Sequence, residues 1–263
     1  MRPWIKFLPA LCLLSFALNL EGKTWVENTV QFGATSRYLP TADSGVAPQK
    51  LMTLTKLSKT PTEASQVKQL LDDAKVQYQA VAEVNWDAYP YKPTVQVRLA
   101  YTADAFLIHF KVDEKEIRAV AAADNGRVYE DACVEFFVQP FADQSYYNFE
   151  FSCIGKLLLQ GGAKGDRKMA PPEILKSVKR WSSLGDQPFD TKAGNHSWEL
   201  TAVIPYSAFF RHPQTAIQEE IKANFYKCGD KLPTPHFVSW NKILTEKPNF
   251  HAPEFFGRIK LTK

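Results

Sequence analysis

The chain has 263 residues, of which 45% are hydrophobic and 23% are charged, and this is ordinary globular composition. The length suits one large domain or two small ones. The formal net charge of +4 is spread along the chain rather than clustered, so nucleic acid is not expected as a partner.

The N-terminus has the pattern of a secretory signal peptide. Arg2 and Lys6 precede an apolar run at residues 7–20, which is short for a bilayer span. No second apolar stretch follows, so no membrane span is expected after cleavage. We assign residues 1–22 to the signal and predict secretion to the periplasm or the cell surface. An uncleaved N-terminal anchor is the alternative.

Residues 23–80 are predicted to be an irregular leader with one helix. Thr, Ser, Pro and small residues dominate residues 23–59. Thr60 and Glu63 then form a capping-box pattern, with Pro61 at the first helical position. The apolar face of this helix is expected to comprise Val67, Leu70, Leu71 and Ala74.

From residue 94 the hydrophobic period becomes two, which is typical of half-buried strands. Residues 94–101 and 106–112 alternate in this way and are joined by a short turn, which predicts a hairpin. Further strands are predicted at residues 133–138, 146–153, 198–204, 223–228, 237–240 and 257–261. Residues 81–263 are therefore predicted to be an all-β sandwich or barrel. A second short helix is expected near residues 171–179, with proline at its start.

Three cysteines remain after the predicted signal: Cys133, Cys153 and Cys228. An odd number cannot all pair within one chain, so either two are joined or all three are buried thiols. No CxxC or Cys/His spacing is present, and the histidines form no HExxH pattern, so the sequence predicts no zinc site.

Glu135 lies within a strand whose neighbours Val134, Phe136 and Val138 are expected to face the core. Successive side chains of a strand point to opposite faces, so Glu135 should point away from that core. There it is either a surface charge or a hydrogen-bond acceptor for a ligand.

Several motifs in order along residues 81–261 resemble the carbohydrate-binding modules of family 9, and in particular the stand-alone family 9-like proteins of Bacteroidetes-type bacteria. These motifs are EDACVEFF (130–137), YYNFEF (146–151), WEL (198–200), NFYKC (224–228), SWN (239–241) and FHAPEFFG (250–257). The resemblance implies an antiparallel β-sandwich, immunoglobulin-like or jelly-roll-like and related to the DOMON fold, with one or two short peripheral helices. It also implies non-catalytic binding of the ends of oligosaccharides or polysaccharides, with a glycoside hydrolase as a partner.

In this family two aromatic rings clamp a terminal sugar, and the matching positions here are Tyr129 and Trp240. The family often has Trp at the first position, so Tyr129 is a departure that offers a smaller face. Glu135 matches the acidic residue that accepts hydrogen bonds from sugar hydroxyls. Further polar neighbours of the sugar implied by the resemblance are Asn148, Lys227 and Arg118. The alternatives are that Trp240 is a core residue and that Tyr129 is a strand-edge aromatic.

Other functions stay open at this point. A glycosidase would use two of the carboxylates of Glu130, Asp131, Glu135 and Glu150. A haem-binding module would need an axial pair, and Met169 is the one Met between residues 161 and 190. A scaffold that has lost its ligand would pack against a partner. No cofactor is expected, although a structural Ca²⁺ could be held by Asp124, Glu130 and Asp131.

Overall fold

The structure is a computed structural model that describes residues 49–213 and 216–262. The predicted signal peptide and the first part of the leader lie outside the described residues. Within the described ranges, no helix is both long and apolar enough to cross a membrane.

The described residues are mostly β-structure. The strands are β1 (Leu51–Lys56), β2 (Gln79–Ala80), β3 (Glu83–Val84), β4 (Thr94–Tyr101), β5 (Ala105–Ala119), β6 (Cys133–Gln139), β7 (Tyr146–Ser152), β8 (Leu157–Gly162), β9 (Lys168–Met169), β10 (Lys179–Ser182), β11 (Phe189–Pro205), β12 (Glu220–Cys228), β13 (Phe237–Ser239) and β14 (Gly257–Leu261). The helices are α1 (Val67–Asp73) and α2 (Pro172–Ser177). The helix predicted near residues 171–179 is therefore α2, and it has proline at its start as expected.

Eleven strands follow one another in one curled sheet in the order β10-β11-β5-β4-β1-β14-β12-β6-β7-β8-β9, while β2 pairs with β4 and β13 pairs with both β12 and β3. We call β10, β11, β5 and β4 the first half-sheet, and β14, β12, β6, β7, β8 and β9 the second half-sheet. The main hydrophobic core contains inward side chains of both halves. Phe110 and Phe225 approach to 6.3 Å between ring centroids, and Phe106 and Phe136 to 6.0 Å. The predicted all-β sandwich is confirmed.

Strand β1 corrects two expectations. Its residues belong to the segment predicted to be irregular, yet Met52 and Leu54 alternate with exposed residues and are buried. β1 also runs parallel to both β14 and β4, so the sandwich is not wholly antiparallel. Two strands that are far apart in the sequence can pair in either direction. Here β1 lies between β4 of the first half-sheet and β14 of the second, and so joins the two.

Helix α1 forms where it was predicted, but its start differs. The Glu63 backbone N–H donates to the Gln66 side chain at 3.2 Å, and a 3₁₀ turn at Ala64–Gln66 leads into the helix. Thr60 does not cap the helix, because its hydroxyl contacts the side chains of Thr102 and Asp104. The buried face of α1, with Val67 and Leu71, packs on the outer surface of the first half-sheet.

The second half-sheet has apolar residues on both faces. Phe136, Phe149 and Phe225 point into the main core. Phe137 and Tyr226 point outward into a second cluster with Phe250 and Phe256. The loops that carry these last residues therefore cover the outer face, and side chains on that face are buried rather than exposed to solvent.

Candidate functional site

A cavity of about 590 Å³ lies on the outer face of the second half-sheet. This volume is in the range of small-molecule sites, about 300–1,000 Å³. Its aromatic and histidine lining comprises Tyr129, Phe137, Phe237, Phe250 and His251, and its acidic lining comprises Glu135, Glu150 and Asp230. The lining therefore combines aromatic rings with polar groups, which can contact both the apolar and the polar parts of a small ligand.

Two carboxyl groups meet at the floor of the cavity. Glu135 on β6 and Glu150 on β7 are register partners, so their side chains are cross-strand neighbours on the outer face. Both are buried, with 2% and 4% of their surface exposed. The expectation that Glu135 points away from the core is confirmed, and it is a cavity group rather than a surface charge.

The environment of these carboxyls favours their neutral forms. Burial raises the pKa of Glu135 well above its ordinary value, and the adjacent Cys228 and Glu150 raise it further. Burial also raises the pKa of Glu150 to about 7, although Asn148 opposes this by donating to Glu150 Oε1 at 2.7 Å. Oε2 of Glu135 and Oε2 of Glu150 have no hydrogen-bond partner. Buried polar atoms are normally paired, so these two oxygens are available to a ligand.

Tyr129 and Phe237 are the half-buried rings among the aromatic side chains of the cavity lining. Tyr129 lies in a 3₁₀ turn, Val128–Glu130, whose backbone is held to the end of β12 by the Asp230 N–H donating to Tyr129 O at 3.1 Å. Phe237 begins β13 and packs edge-on against Tyr89, with 4.8 Å between ring centroids. Phe137 and Phe250 are almost fully covered.

Trp240 is not part of the cavity, which corrects the predicted ring pair. Its indole is 1% exposed and packs in the main core, 5.6 Å from the ring of Phe225. The physical reason is the strand pleat. Val238 and Trp240 point to the inner face and Phe237 to the outer face, so the SWN motif places its ring on the core side.

Lys227 is not a cavity residue either. It neighbours Cys228 on β12 and points inward, where its Nζ lies 2.8 Å from Glu114 Oε2 and donates to the Cys228 carbonyl at 2.8 Å. His236 Nε2 is a third partner at 2.8 Å. A buried charge needs such partners. The Lys227 ammonium is therefore held in the core and does not contact the cavity.

Arg118 and the proposed calcium ligands are engaged elsewhere. Arg118 Nε donates to Asp131 Oδ1 at 3.0 Å, and Asp131 Oδ2 accepts from the Val120 and Ala121 backbones. Asp131 therefore fixes the loop after β5. The other two carboxylates face cations as well: Asp124 contacts Arg180, and Glu130 contacts Arg127.

Asn148 does not contact the cavity itself but hydrogen-bonds a residue that lines it. It orients Glu150, and Arg167 donates to its side-chain oxygen. The Arg167 guanidinium also stacks 3.8 Å above the Tyr146 ring. Asn148 thus positions a cavity group without lining the cavity.

Sequence reasoning missed Phe237 and Asp230, and considered Glu150 only as a catalytic group. The alternation in YYNFEF, with Tyr147, Phe149 and Phe151 inward, was a sufficient signal for Glu150 to face outward beside Glu135. No comparable signal marked Phe237, because a three-residue strand has too little period to assign its faces.

Residues 65–261 match the profile of carbohydrate-binding family 9. A crystal structure of a candidate carbohydrate-binding protein from Bacteroides uniformis ATCC 8492 is 50% identical, with a TM-score of 0.79 over 82% of this chain and 100% of that chain.

A family 9 module from Caldicellulosiruptor kristjanssonii in complex with cellotriose is 12% identical, with a TM-score of 0.48 over 81% of this chain and 93% of that chain. None of the curated proteins that were compared matches the chain. On the strength of the profile match over most of its length, the chain belongs to carbohydrate-binding family 9.

Proposed function

We propose that the protein binds a terminal sugar unit of an oligosaccharide or polysaccharide in the cavity above Glu135 and Glu150, without catalysing a reaction. The observation that carries this proposal is a pair of buried carboxyl oxygens without partners, in one cavity with two half-buried aromatic rings. The 50% identity to a candidate carbohydrate-binding protein supports the same ligand class.

The chemistry of a pyranose matches this lining. Its faces carry C–H bonds, which aromatic rings cover without any charge, and its edge carries hydroxyls. Tyr129 and Phe237 supply the rings, so Phe237 takes the place that the sequence assigned to Trp240. A neutral carboxyl both donates and accepts a hydrogen bond, so Glu135 can contact a hydroxyl in either role, and Glu150 can do so below its pKa of about 7.

The absence of catalysis is part of the proposal. A glycosidase needs one carboxyl as a proton donor and the other ionised as a base or nucleophile. Burial is the main cause of the raised pKa of both Glu135 and Glu150, so their position under the cavity accounts for both shifts without a catalytic role. Incubation of the protein with a broad glycan panel should release no reducing sugar, and release would overturn the non-catalytic part.

Calorimetric titration with glucose, cellobiose, xylobiose and longer oligosaccharides tests the binding. At least one sugar should give heat. Tyr129→Ala and Phe237→Ala should each weaken that binding by on the order of 2 kcal/mol, about 30-fold, if each ring is a hot spot. Glu135→Ala should weaken it as well, because it removes both of the oxygens that can hydrogen-bond a sugar hydroxyl.

The matched control is Trp181→Ala, since Trp181 is an aromatic residue that is 39% exposed and lies outside this cavity. Its sugar affinity should equal that of the unaltered protein. No heat with any sugar would refute the proposal in favour of a scaffold. Binding that survives both ring variants, or that Trp181→Ala abolishes, would show that the site is elsewhere.

Export to the periplasm or the cell surface belongs to the same proposal, because the ligand is an extracellular polymer. It is supported by the N-terminal pattern of basic and apolar residues. Mass spectrometry of the protein from its native membrane and medium fractions should find a mature N-terminus close to residue 23. A chain that retains residues 1–22 would indicate an uncleaved anchor.

A further inference from the structure

Two thiols and a carboxylate converge at the floor of the cavity. Cys133 and Cys228 are register partners on β6 and β12, and Glu135 lies two residues after Cys133 on the same outer face. Glu135 Oε1 is 3.1 Å from Cys228 Sγ and 4.0 Å from Cys133 Sγ. The three ligand atoms lie within 4.8 Å of one another. Among residues 49–213 and 216–262, this is the one group of three or more His, Cys, Asp and Glu side chains that meet so closely.

The three groups interact mainly with one another, because Cys228 Sγ donates to Glu135 Oε1 and their contacts outside the cluster are long. Both cysteines are free thiols, and the contacts from their sulfurs to backbone carbonyls are long, at 3.8 Å for Cys133 and 3.6 Å for Cys228. Glu135 is 2% exposed, and its Oε2 has no hydrogen-bond partner. Buried polar atoms are normally paired, so an unpaired carboxyl oxygen beside two thiols calls for a partner, and an ion is one such partner.

We propose that Cys133, Cys228 and Glu135 bind a thiophilic divalent cation, of which Zn²⁺ is the type, with a fourth coordination position that opens into the cavity. In tetrahedral coordination, Zn–S bonds of about 2.3 Å and Zn–O bonds of about 2.0 Å put sulfur and oxygen ligands about 3.5 Å apart. The two observed sulfur–oxygen distances of 3.1 and 4.0 Å lie on either side of this value.

The cavity side of the cluster is open because Cys228 and Glu135 both line it. Three protein ligands with a fourth position left to water or a bound molecule is the arrangement of an accessible zinc site. On binding, each thiol gives up its proton to solvent and becomes a thiolate, and a protonated Glu135 does the same. No electron transfer is involved, and the cation keeps its charge of two.

Titration with Co²⁺ in the presence of a phosphine reductant, without sugar, tests the proposal. Thiolate ligation produces a near-ultraviolet sulfur-to-cobalt charge-transfer band, and added Zn²⁺ should remove it by displacement. Cys228→Ser and Cys133→Ser should each weaken binding by about 100-fold or more, since even loss of an outer-shell contact costs 10- to 100-fold.

Cys153→Ser is the matched control. Cys153 is also a buried free thiol, but its sulfur donates to the Arg118 carbonyl at 3.5 Å and lies outside the cluster. This variant should keep the full band. Circular dichroism confirms that each variant is folded before it is titrated.

A second measurement uses the unaltered protein and does not depend on any variant folding. Calorimetry of Zn²⁺ binding in buffers of different ionisation enthalpy should show release of two or three protons per cation. The proposal is overturned if the protein gives no charge-transfer band, if zinc binding releases no proton, or if a folded Cys228→Ser keeps the band. Because no sugar is present, the outcome is separate from that of the sugar titrations.

Discussion

The buried ion pair between Lys227 and Glu114 joins the two half-sheets across the core. Lys227 comes from β12 and Glu114 from β5, and neither side chain has any exposed surface. Lys227 Nζ has three partners at 2.8 Å: Glu114 Oε2, the Cys228 carbonyl and His236 Nε2. The other carboxylate oxygen, Glu114 Oε1, accepts from Trp198 Nε1 at 2.7 Å.

Lys227→Met should lower the free energy of unfolding by about 3 to 5 kcal/mol, because it leaves the Glu114 carboxylate buried without a counter-charge. The second variant, Lys227→Met with Glu114→Gln, removes both charges. The amide introduced by Glu114→Gln can still accept a hydrogen bond from the Trp198 indole. The double variant should therefore recover about half or more of the free energy of unfolding that Lys227→Met loses. A buried pair replaced as a whole is often close to neutral in stability.

Urea unfolding at pH 7, followed by circular dichroism, gives the three free energies. The reasoning is refuted if Lys227→Met costs less than about 1 kcal/mol, or if the double variant is no more stable than the single one. The same proteins separate a core role of Lys227 from a role in sugar binding. Folded Lys227→Met should bind sugar as the unaltered protein does.

Three further predictions concern the core and the dependence of stability on pH. Trp240→Ala should lower the free energy of unfolding in urea by about 3 to 5 kcal/mol, because a large buried ring is lost. In calorimetry of the folded variants, Trp240→Ala should weaken sugar binding less than Phe237→Ala does. Gly257→Ala should cost about 1 to 3 kcal/mol in thermal unfolding, because the added Cβ would lie 2.4 Å from Cζ3 of the Trp240 ring; an unchanged melting temperature would contradict this packing. Burial, followed by the charge of Lys227, lowers the pKa of His236 from 6.5 to about 3, so this residue stabilises the fold above pH 6.5 and that contribution is lost as the pH falls toward 3. Between pH 6 and pH 4, the free energy of unfolding in urea should therefore fall by about 2 kcal/mol more for the unaltered protein than for His236→Gln. Equal decreases for the two proteins would show that His236 does not titrate as described.

Of the six predicted sugar-binding residues, only Tyr129 and Glu135 line the cavity. Alternation along EDACVEFF and YYNFEF is enough to send Glu135 and Glu150 to the face opposite the phenylalanines, and the structure has them there. The assignment of Tyr129 to the cavity wall is consistent with its position. The position of Trp240 was inferred from the family resemblance instead, and that inference was wrong because the Trp240 ring lies in the main core.

The sequence predicted no zinc site, because it contains no CxxC or Cys/His ligand spacing. Ligand motifs are recognised along the chain, where close spacing brings side chains together. Cys133 and Cys228 are distant in sequence and meet only because β6 and β12 are adjacent in antiparallel register. Lys227 and Glu114 meet in the same way, across the sandwich from different half-sheets.

Local periodicity determined the class of fold, most of the strands, and the face of each longer strand, because the pleat alternates side chains independently of their partners. The tertiary structure alone decided which strands are neighbours, and therefore which charged and sulfur-containing side chains come into contact. It also decided the parallel insertion of β1 between the half-sheets. Pairing between strands depends on contacts between residues far apart in the chain, and a single sequence carries no local record of those contacts.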